Sequence, residues 1–338
     1  MDTREVDARE VDAAEVDALV AMGAAATSEA ACREVASRFC DVAGTEGGPR
    51  LLAREDVKVV LVSLGGGADG DDVREAVVTA IAVVASVPEG QRVMASDDVR
   101  EVLLLIGVPC GSDEVRTAVA GAIGNIATLE AGEVVMSRAE VREVLVGMGV
   151  ACGSDEVRAP LANAIRQLAT GIAERKQLFA TEEVRGVLVA MGTACGGDET
   201  RKHVAAAIRK IATGFPEGKL VMATAEVRTL LVAMGTACRS DGVRKHVAGA
   251  VGHLVCRPTI GELARVEVRD LLVRIGRSAE GAEARGTLAR GVAALAALPA
   301  GQRTLATDVV CEMLVGLLSG LESPRERGIV AAALLRVG

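Results

Sequence analysis

The chain has 338 residues and a net charge of −8, and half of its residues are apolar. Aromatic residues are nearly absent, since there are three phenylalanines and neither tryptophan nor tyrosine. The acidic surplus and the missing aromatic side chains argue against nucleic-acid binding. No apolar run reaches the roughly 18 residues that a membrane-spanning helix needs, and the N-terminus lacks the apolar centre of a signal peptide. We therefore expect a cytoplasmic protein, with the nucleus as the alternative location, that does not insert into membranes.

The first predicted element is a low-complexity N-terminal extension over residues 1–14. Residues 4–18 repeat Glu-Val-Asp-Ala with a period of five, which is not a helical period. We expect a frayed or loosely attached helix in this extension. Further on, we expect the glycine-rich stretch 65–72 to form a flexible acidic loop, because its acids lack the spacing of a calcium site.

From residue 15 to residue 338, one short sequence motif recurs at intervals of 41–43 residues. Each copy is anchored by a valine, at Val16, Val57, Val99, Val141, Val184, Val227, Val268 and Val309. A fixed period in this range predicts an all-α solenoid whose stacked units share one core. We expect about eight repeats, starting near residues 15, 56, 98, 140, 183, 226, 267 and 308.

Each repeat contains one short helical pattern and two longer ones, as residues 171–213 illustrate. The second helix is capped by Thr181, whose hydroxyl can accept a free backbone N–H. Its apolar residues recur with helical spacing, and Gly192 follows them where a helix end is expected. Asp198 is the expected cap of the third helix.

Four of the eight cysteines occupy one equivalent position in successive repeats: Cys110, Cys152, Cys195 and Cys238. Packed helices stand roughly 8–10 Å apart, whereas a disulfide needs Cα atoms within about 7 Å. We interpret these cysteines as small buried thiols near a helix end. A redox or metal role is the alternative, and it lacks a Cys-x-x-Cys pair.

The third-helix phrase 115–127 and its copy at 164–169 resemble the signature of the armadillo repeat. The link 170–177 is similar to the connection between repeats in that family. The resemblance covers roughly residues 15–338, and the related HEAT repeat is the structural alternative. It implies a right-handed α-α superhelix whose third helices line a concave groove, which receives an extended peptide or a partner protein.

In peptide-binding members of that family, an asparagine on each third helix holds the ligand backbone and a tryptophan one turn earlier packs its side chains. At the asparagine position this chain has Val83, Asn125, Gln167, Lys210, His253, Ala294 and Arg336. At the tryptophan position it has Thr79, Gly121, Asn163, Ala206, Gly249 and Arg290. Because one asparagine and no tryptophan are retained, we expect any groove here to use different chemistry.

No grouping of residues indicates catalysis, so we expect a protein that is not an enzyme and needs neither cofactor nor metal. His203 and His246 are repeat copies of each other, and His253 lies seven residues after His246, about 10.5 Å along a helix. These separations are too long for a shared metal. We also find no glycine-rich phosphate loop and no nucleophile with a base beside it.

Two sets of arginines recur at helix starts. The third helices carry Arg74, Arg116, Arg158, Arg201, Arg244, Arg285 and Arg327, and the second helices carry Arg100, Arg142, Arg185, Arg228 and Arg269. One interpretation is structural, with pairing between repeats through neighbouring acids such as Glu114, Glu156 and Glu199. The other is a ladder that binds carboxylates or phosphates.

Charged residues that differ between repeats separate a binding role from a structural role better than residues that recur in every repeat. Repeats four to six carry several cationic residues on the side expected to form the groove. Such a patch would steer an acidic or phosphorylated segment towards the protein. We therefore predict a monomeric protein–protein interaction scaffold for such a segment. The predicted contact residues are Asn125, Asn163, Arg166, Gln167, Lys202, His203, Arg209, Lys210, Lys245, His246 and His253. The alternative is a passive structural spacer or assembly arm with no groove ligand.

Overall fold

The computed structural model describes residues 12–68, 70–108 and 110–338, and within them every regular element is an α-helix. The all-α prediction is therefore confirmed. The chain divides into two compact units, the first ending at Leu168 and the second running from Ala169 to Gly338. The predicted N-terminal extension lies almost wholly outside the described residues, and the first helix begins at Ala13 with Asp12 as its cap.

The described residues of the first unit form eleven helices in the order of the chain. They are α1 Ala13–Ala25, α2 Glu29–Ala43, α3 Gly48–Leu51, α4 Glu55–Gly66, α5 Asp71–Val84, α6 Pro88–Met94, α7 Asp97–Gly107, α8 Asp113–Ile126, α9 Glu130–Met136, α10 Ala139–Ala151 and α11 Asp155–Leu168. The long third helices α2, α5, α8 and α11 stack in series, and the second helices α1, α4, α7 and α10 form a parallel series beside them.

The second unit contains twelve helices and repeats this arrangement. They are α12 Ala173–Phe179, α13 Glu182–Ala194, α14 Asp198–Ala212, α15 Pro216–Met222, α16 Ala225–Ala237, α17 Asp241–Leu254, α18 Ile260–Leu263, α19 Val266–Ser278, α20 Ala282–Ala296, α21 Pro299–Leu305, α22 Asp308–Gly320 and α23 Pro324–Val337. The third helices are α14, α17, α20 and α23, and the second helices are α13, α16, α19 and α22.

The helix starts follow from local chemistry. Ser112 accepts the backbone N–H of Val115 at 3.1 Å, and Ser240 accepts that of Val243 at 3.4 Å. Thr181 caps α13 in the same way, as the sequence predicted. Buried aliphatic residues then follow at helical spacing, and they form the core between the second and third helices of each repeat.

Gly192 does not end a helix, contrary to the prediction, because α13 continues to Ala194. A β-carbon at Gly192 would lie 2.8 Å from Leu230 Cδ1 on α16. The equivalent Gly235 would meet Leu271 Cδ1 on α19 at 2.5 Å. These glycines let successive second helices approach closely, so their role is packing rather than termination.

The thiols of the four equivalent cysteines point back to their own helix ends. Each donates to the carbonyl three residues earlier, at 3.0–3.3 Å. Burial raises the pKa of the Cys110, Cys152 and Cys238 thiols, which disfavours the reactive thiolate. All eight cysteines are described, and none of them forms a disulfide bond.

The expected pairing of the third-helix arginines with Glu114, Glu156 and Glu199 is wrong. Their partners are aspartates three residues earlier on the same helix, in the pairs Arg116–Asp113, Arg158–Asp155, Arg201–Asp198 and Arg244–Asp241, at 2.7–3.1 Å. Each aspartate occupies the first position of its helix, about one turn before the arginine, and its side chain faces the arginine directly. The glutamate that follows the aspartate lies on a different face of the helix. These arginines are therefore held by internal partners.

The same aspartates also connect neighbouring repeats. Asp198 accepts the backbone N–H groups of Arg239 and Ser240 at 2.9 and 2.8 Å. Arginines of both sets also bond to backbone carbonyls of the next repeat, since Arg185 donates to the Val221 carbonyl at 3.1 Å and Arg285 donates to the Gly320 carbonyl at 3.4 Å. Both recurring sets thus have structural roles in the repeats that show these contacts.

Candidate partner-binding site

The predicted contact residues of the first unit lie on α8 and α11 and make bonds within that unit. Asn125 donates to the Ala82 carbonyl of α5 at 2.9 Å, and so ties two third helices together. Gln167 donates to Thr128 Oγ1 at 3.2 Å. Asn163 accepts two hydrogen bonds from Arg166, at 3.0 and 2.6 Å. The retained asparagine therefore stabilises the stack of third helices.

Three predicted cations of the second unit have carboxylate partners within the chain. Glu199 lies 2.6 Å from Lys202 Nζ and 2.8 Å from His203 Nε2. Lys245 pairs with Glu283 of α20 at 2.8 Å. The hydrogen bond from Lys202 holds the pKa of Glu199 below its usual value, and Lys245 does the same for Glu283. Lys210 is a half-buried residue of α14, and His246 is a half-buried residue of α17.

Arg209, on α14, differs from these residues. Its guanidinium is half-buried and has no hydrogen-bond or ion-pair partner in the described part of the chain. Its side chain crosses α17 over Gly249, where a β-carbon would lie 2.7 Å from Arg209 Cδ. Desolvation lowers the pKa of Arg209, and repulsion from Arg290 acts in the same direction against the attraction of Glu283.

Arg290 and Thr287, on α20, border the same space. Thr287 Cγ2 lies 3.2 Å from the position of a Gly249 β-carbon, and Thr287 Oγ1 accepts from Arg290 at 2.8 Å. Arg290 also pairs with Glu326 of α23 at 2.7 Å, although half of its side chain stays exposed. Arg290 was absent from the predicted contacts, yet its place at the tryptophan position puts it on the same face.

His253 completes this group in the last turn of α17. Its ring stays open to solvent, yet the surrounding protein desolvates it and so lowers its pKa. The positive charges of Arg209, Lys219, Arg290 and Lys176 lower the pKa further. We call Arg209, Gly249, His253, Thr287 and Arg290 the anion cleft. Arg209 and Thr287 approach Gly249, Arg290 bonds Thr287, and His253 lies about one turn after Gly249, so the group draws on three successive third helices.

Residues 12–68, 70–108 and 110–338 contain no cluster of three or more histidine, cysteine, aspartate or glutamate side chains that could hold a metal ion. None of their helices alone combines the length and apolar character required to cross a bilayer, and the bent pair α15 and α16 does so only when taken together.

Comparison with known proteins gives matches among solved structures alone. No family model matches the chain, and no curated protein matches it. A designed armadillo repeat protein is 22% identical, with a TM-score of 0.59 over 70% of this chain and 99% of its own. A second, solved in complex with the peptide (KR)4, is 20% identical, with a TM-score of 0.60 over 70% of this chain and 98% of its own.

A further match comes from a structural study of a phosphorylation switch that controls the interaction between cadherin and beta-catenin. It has a TM-score of 0.75 and 13% identity, and it covers 95% of this chain and 60% of the matched one. Identities this low carry information about fold alone. Together with the repeating triplets of helices, they confirm the resemblance that the third-helix phrases indicated: the chain has an armadillo-like repeat fold.

Proposed function

We propose that this protein is a non-enzymatic interaction scaffold that binds an acidic or phosphorylated protein segment on the third helices of its second unit. The armadillo-like neighbours support the general class, since one was solved with a bound peptide and another concerns the binding of cadherin to beta-catenin. Of the eleven predicted contact residues, Arg209 and His253 belong to the anion cleft. We propose this cleft as the centre of the binding site.

The observation that carries the proposal is the state of Arg209. A half-buried guanidinium loses hydration, and the attraction of Glu283, although larger than the repulsion from Arg290, gives it no hydrogen-bond acceptor. An incoming carboxylate or phosphate would offset the lost hydration, because it supplies the missing acceptor. The (KR)4 peptide of the designed neighbour is basic, whereas the ligand that suits this cleft is acidic.

The test measures binding of a fluorescent peptide of alternating glutamate and alanine to the full chain by anisotropy. Arg209→Gln should weaken binding about tenfold, because a charge-assisted hydrogen bond in a half-buried site is lost. It should also reduce the dependence of affinity on salt. A peptide with glutamine in place of glutamate should bind far more weakly.

Arg277→Gln is the matched control, because Arg277 is an exposed arginine on α19 outside the cleft. It should leave the affinity within about twofold of the unchanged chain. Equal losses for Arg209→Gln and Arg277→Gln would contradict a specific cleft. Absence of binding by any acidic peptide would instead favour the passive spacer.

A further inference from the structure

We infer that Glu326 occupies Arg290 as an internal competitor, and that an acidic segment displaces it in order to bind both guanidiniums of the anion cleft. This inference rests on the proposed function and concerns the regulation of the same site. It makes Glu326 of α23 an autoinhibitory residue, because a carboxylate of the chain itself takes the place of a carboxylate or phosphate of the ligand.

The two guanidiniums of the cleft flank one side chain, that of Thr287. The position of a Gly249 β-carbon lies 2.7 Å from Arg209 Cδ, 3.6 Å from Arg209 Nη1 and 3.2 Å from Thr287 Cγ2. Thr287 Oγ1 in turn accepts a hydrogen bond from Arg290 Nη2 at 2.8 Å. An acidic segment that reaches Arg209 therefore also comes close to Arg290.

Arg290 differs from Arg209 because it already binds a carboxylate of the chain. Its Nη1 donates to Glu326 Oε1 at 2.7 Å. The carboxylate of Glu326 lies against α20 at Gly286, where its Oε2 is 2.6 Å from the position of a β-carbon. Gly286 is about one turn before Arg290. Glu326 thus places an anion on α20 beside the cleft.

This ion pair is weak enough for a ligand to replace it. Half of the Arg290 side chain is exposed, and the side chain of Glu326 is 22% exposed. Ion pairs with partners open to solvent contribute little free energy. A phosphate or carboxylate that is also bound by Arg209 has an advantage over Glu326, because it makes bonds to both guanidiniums.

A displaced Glu326 has a second partner at the start of its own helix. Ser323 is the N-cap of α23, and its hydroxyl accepts the backbone N–H of Glu326 at 3.5 Å. The two residues have the spacing of a capping box, in which the glutamate side chain binds the backbone N–H of the cap residue. The positive end of the helix also favours a carboxylate there. Release from Arg290 therefore does not leave Glu326 without a favourable interaction.

The experiment measures binding of the glutamate–alanine peptide to the full chain and its variants by anisotropy. Glu326→Gln removes the competing charge, whereas Glu326→Asp keeps the charge on a side chain that is shorter by one methylene. We expect affinity to rise about fivefold for Glu326→Gln and about threefold for Glu326→Asp, on the scale of a partly exposed ion pair. A gain of affinity cannot result from a loss of folding.

Glu322→Gln is the matched control, because Glu322 is an exposed acid just before α23 and has no ion-pair partner in the described part of the chain. It removes the same charge and should leave affinity within about twofold. Equal gains for Glu326→Gln and Glu322→Gln, with none for Glu326→Asp, would indicate a general effect of charge and overturn the inference.

The outcomes also separate this inference from the proposed function. Binding that is weakened by Arg209→Gln, but not strengthened by either substitution of Glu326, would overturn the competitor and leave the proposed function standing. Absence of acidic-peptide binding by the full chain and by every variant would overturn both.

Discussion

Ser137 is a buried polar residue at a position that other repeats fill with alanine. Six other repeats have alanine there, namely Ala53, Ala95, Ala180, Ala223, Ala264 and Ala306. Ala306 is counted from Val310, because Val310 is buried and the predicted anchor Val309 is exposed. Ser137 is 5% exposed, and its hydroxyl has no hydrogen-bond partner among the described residues. A buried hydroxyl without a partner retains its desolvation cost. The repeat pattern therefore marks this serine as a local destabilising feature.

We predict that Ser137→Ala raises the free energy of unfolding by about 1 kcal/mol, because it removes the unpaired hydroxyl. Urea denaturation of the full chain would measure the change. Ser112→Ala is the matched control in the same unit, and it should lower stability by about 1 kcal/mol because Ser112 caps α8. A loss of stability in both variants would contradict this account of Ser137.

The sequence predicted the positions of the contact residues more readily than their partners. The repeat register was sufficient to assign Arg209 and His253 to third helices. It could not show that Glu283 bonds Lys245, because long side chains reach partners that depend on helix packing. The pairing of Glu199 with Lys202 is different, because the two residues are three apart on α14 and their helical spacing already favours it. The repeat register also gave no reason to include Arg290 among the contact residues. Its place beside Arg209 becomes apparent only from the path of the Arg209 side chain across Gly249.

At the scale of helices, the contact between α17 and α20 depends on two glycines. A β-carbon at Gly252 would lie 2.8 Å from Gly291 Cα. Because the obstructing atom belongs to the backbone, it cannot rotate away as the end of a leucine side chain can. Gly186 provides a contrast within the same unit, since it is exposed in α13 and has no atom within 4 Å of its β-carbon position.

We predict opposite effects for alanine at these two glycines. Gly252→Ala should lower the free energy of unfolding by about 1–3 kcal/mol through overpacking. Gly186→Ala should raise it by up to about 1 kcal/mol, because alanine favours a helix interior more than glycine does. Chemical denaturation followed by circular dichroism would compare them. Similar values for both variants would show that helix propensity, rather than the α17–α20 contact, governs the result.

The helices themselves were largely predictable, because apolar spacing and capping residues act within one segment. The prediction for Gly192 failed for a related reason. A glycine after an apolar run is typical of a helix end. Here the glycine is needed because Leu230 of the next repeat packs where a side chain at position 192 would lie. Information about an adjacent helix is absent from the local pattern. The wrong glutamate partners of the third-helix arginines have a different cause, because the true aspartate partners lie three residues earlier on the same helix and were within reach of the local pattern.

At the scale of the molecule, repeat proteins are stabilised by contacts between neighbouring repeats, so a contiguous part can fold without distant segments. The anion cleft lies entirely on α14, α17 and α20, within the compact unit of residues 169–338. The ion pair of Arg290 with Glu326 lies there as well, as does the pair of Lys245 with Glu283. The residues proposed to bind an acidic peptide are therefore contained in the second unit.

We predict that the fragment 169–338 folds into helices and binds the glutamate–alanine peptide within about twofold of the full chain, with the same response to Arg209→Gln. Circular dichroism would establish folding, and anisotropy would measure affinity. A folded fragment with much weaker binding would show that the first unit contributes contacts, and Asn163 and Arg166 would then be the first residues to test. Retained binding would localise recognition to the third helices around Gly249.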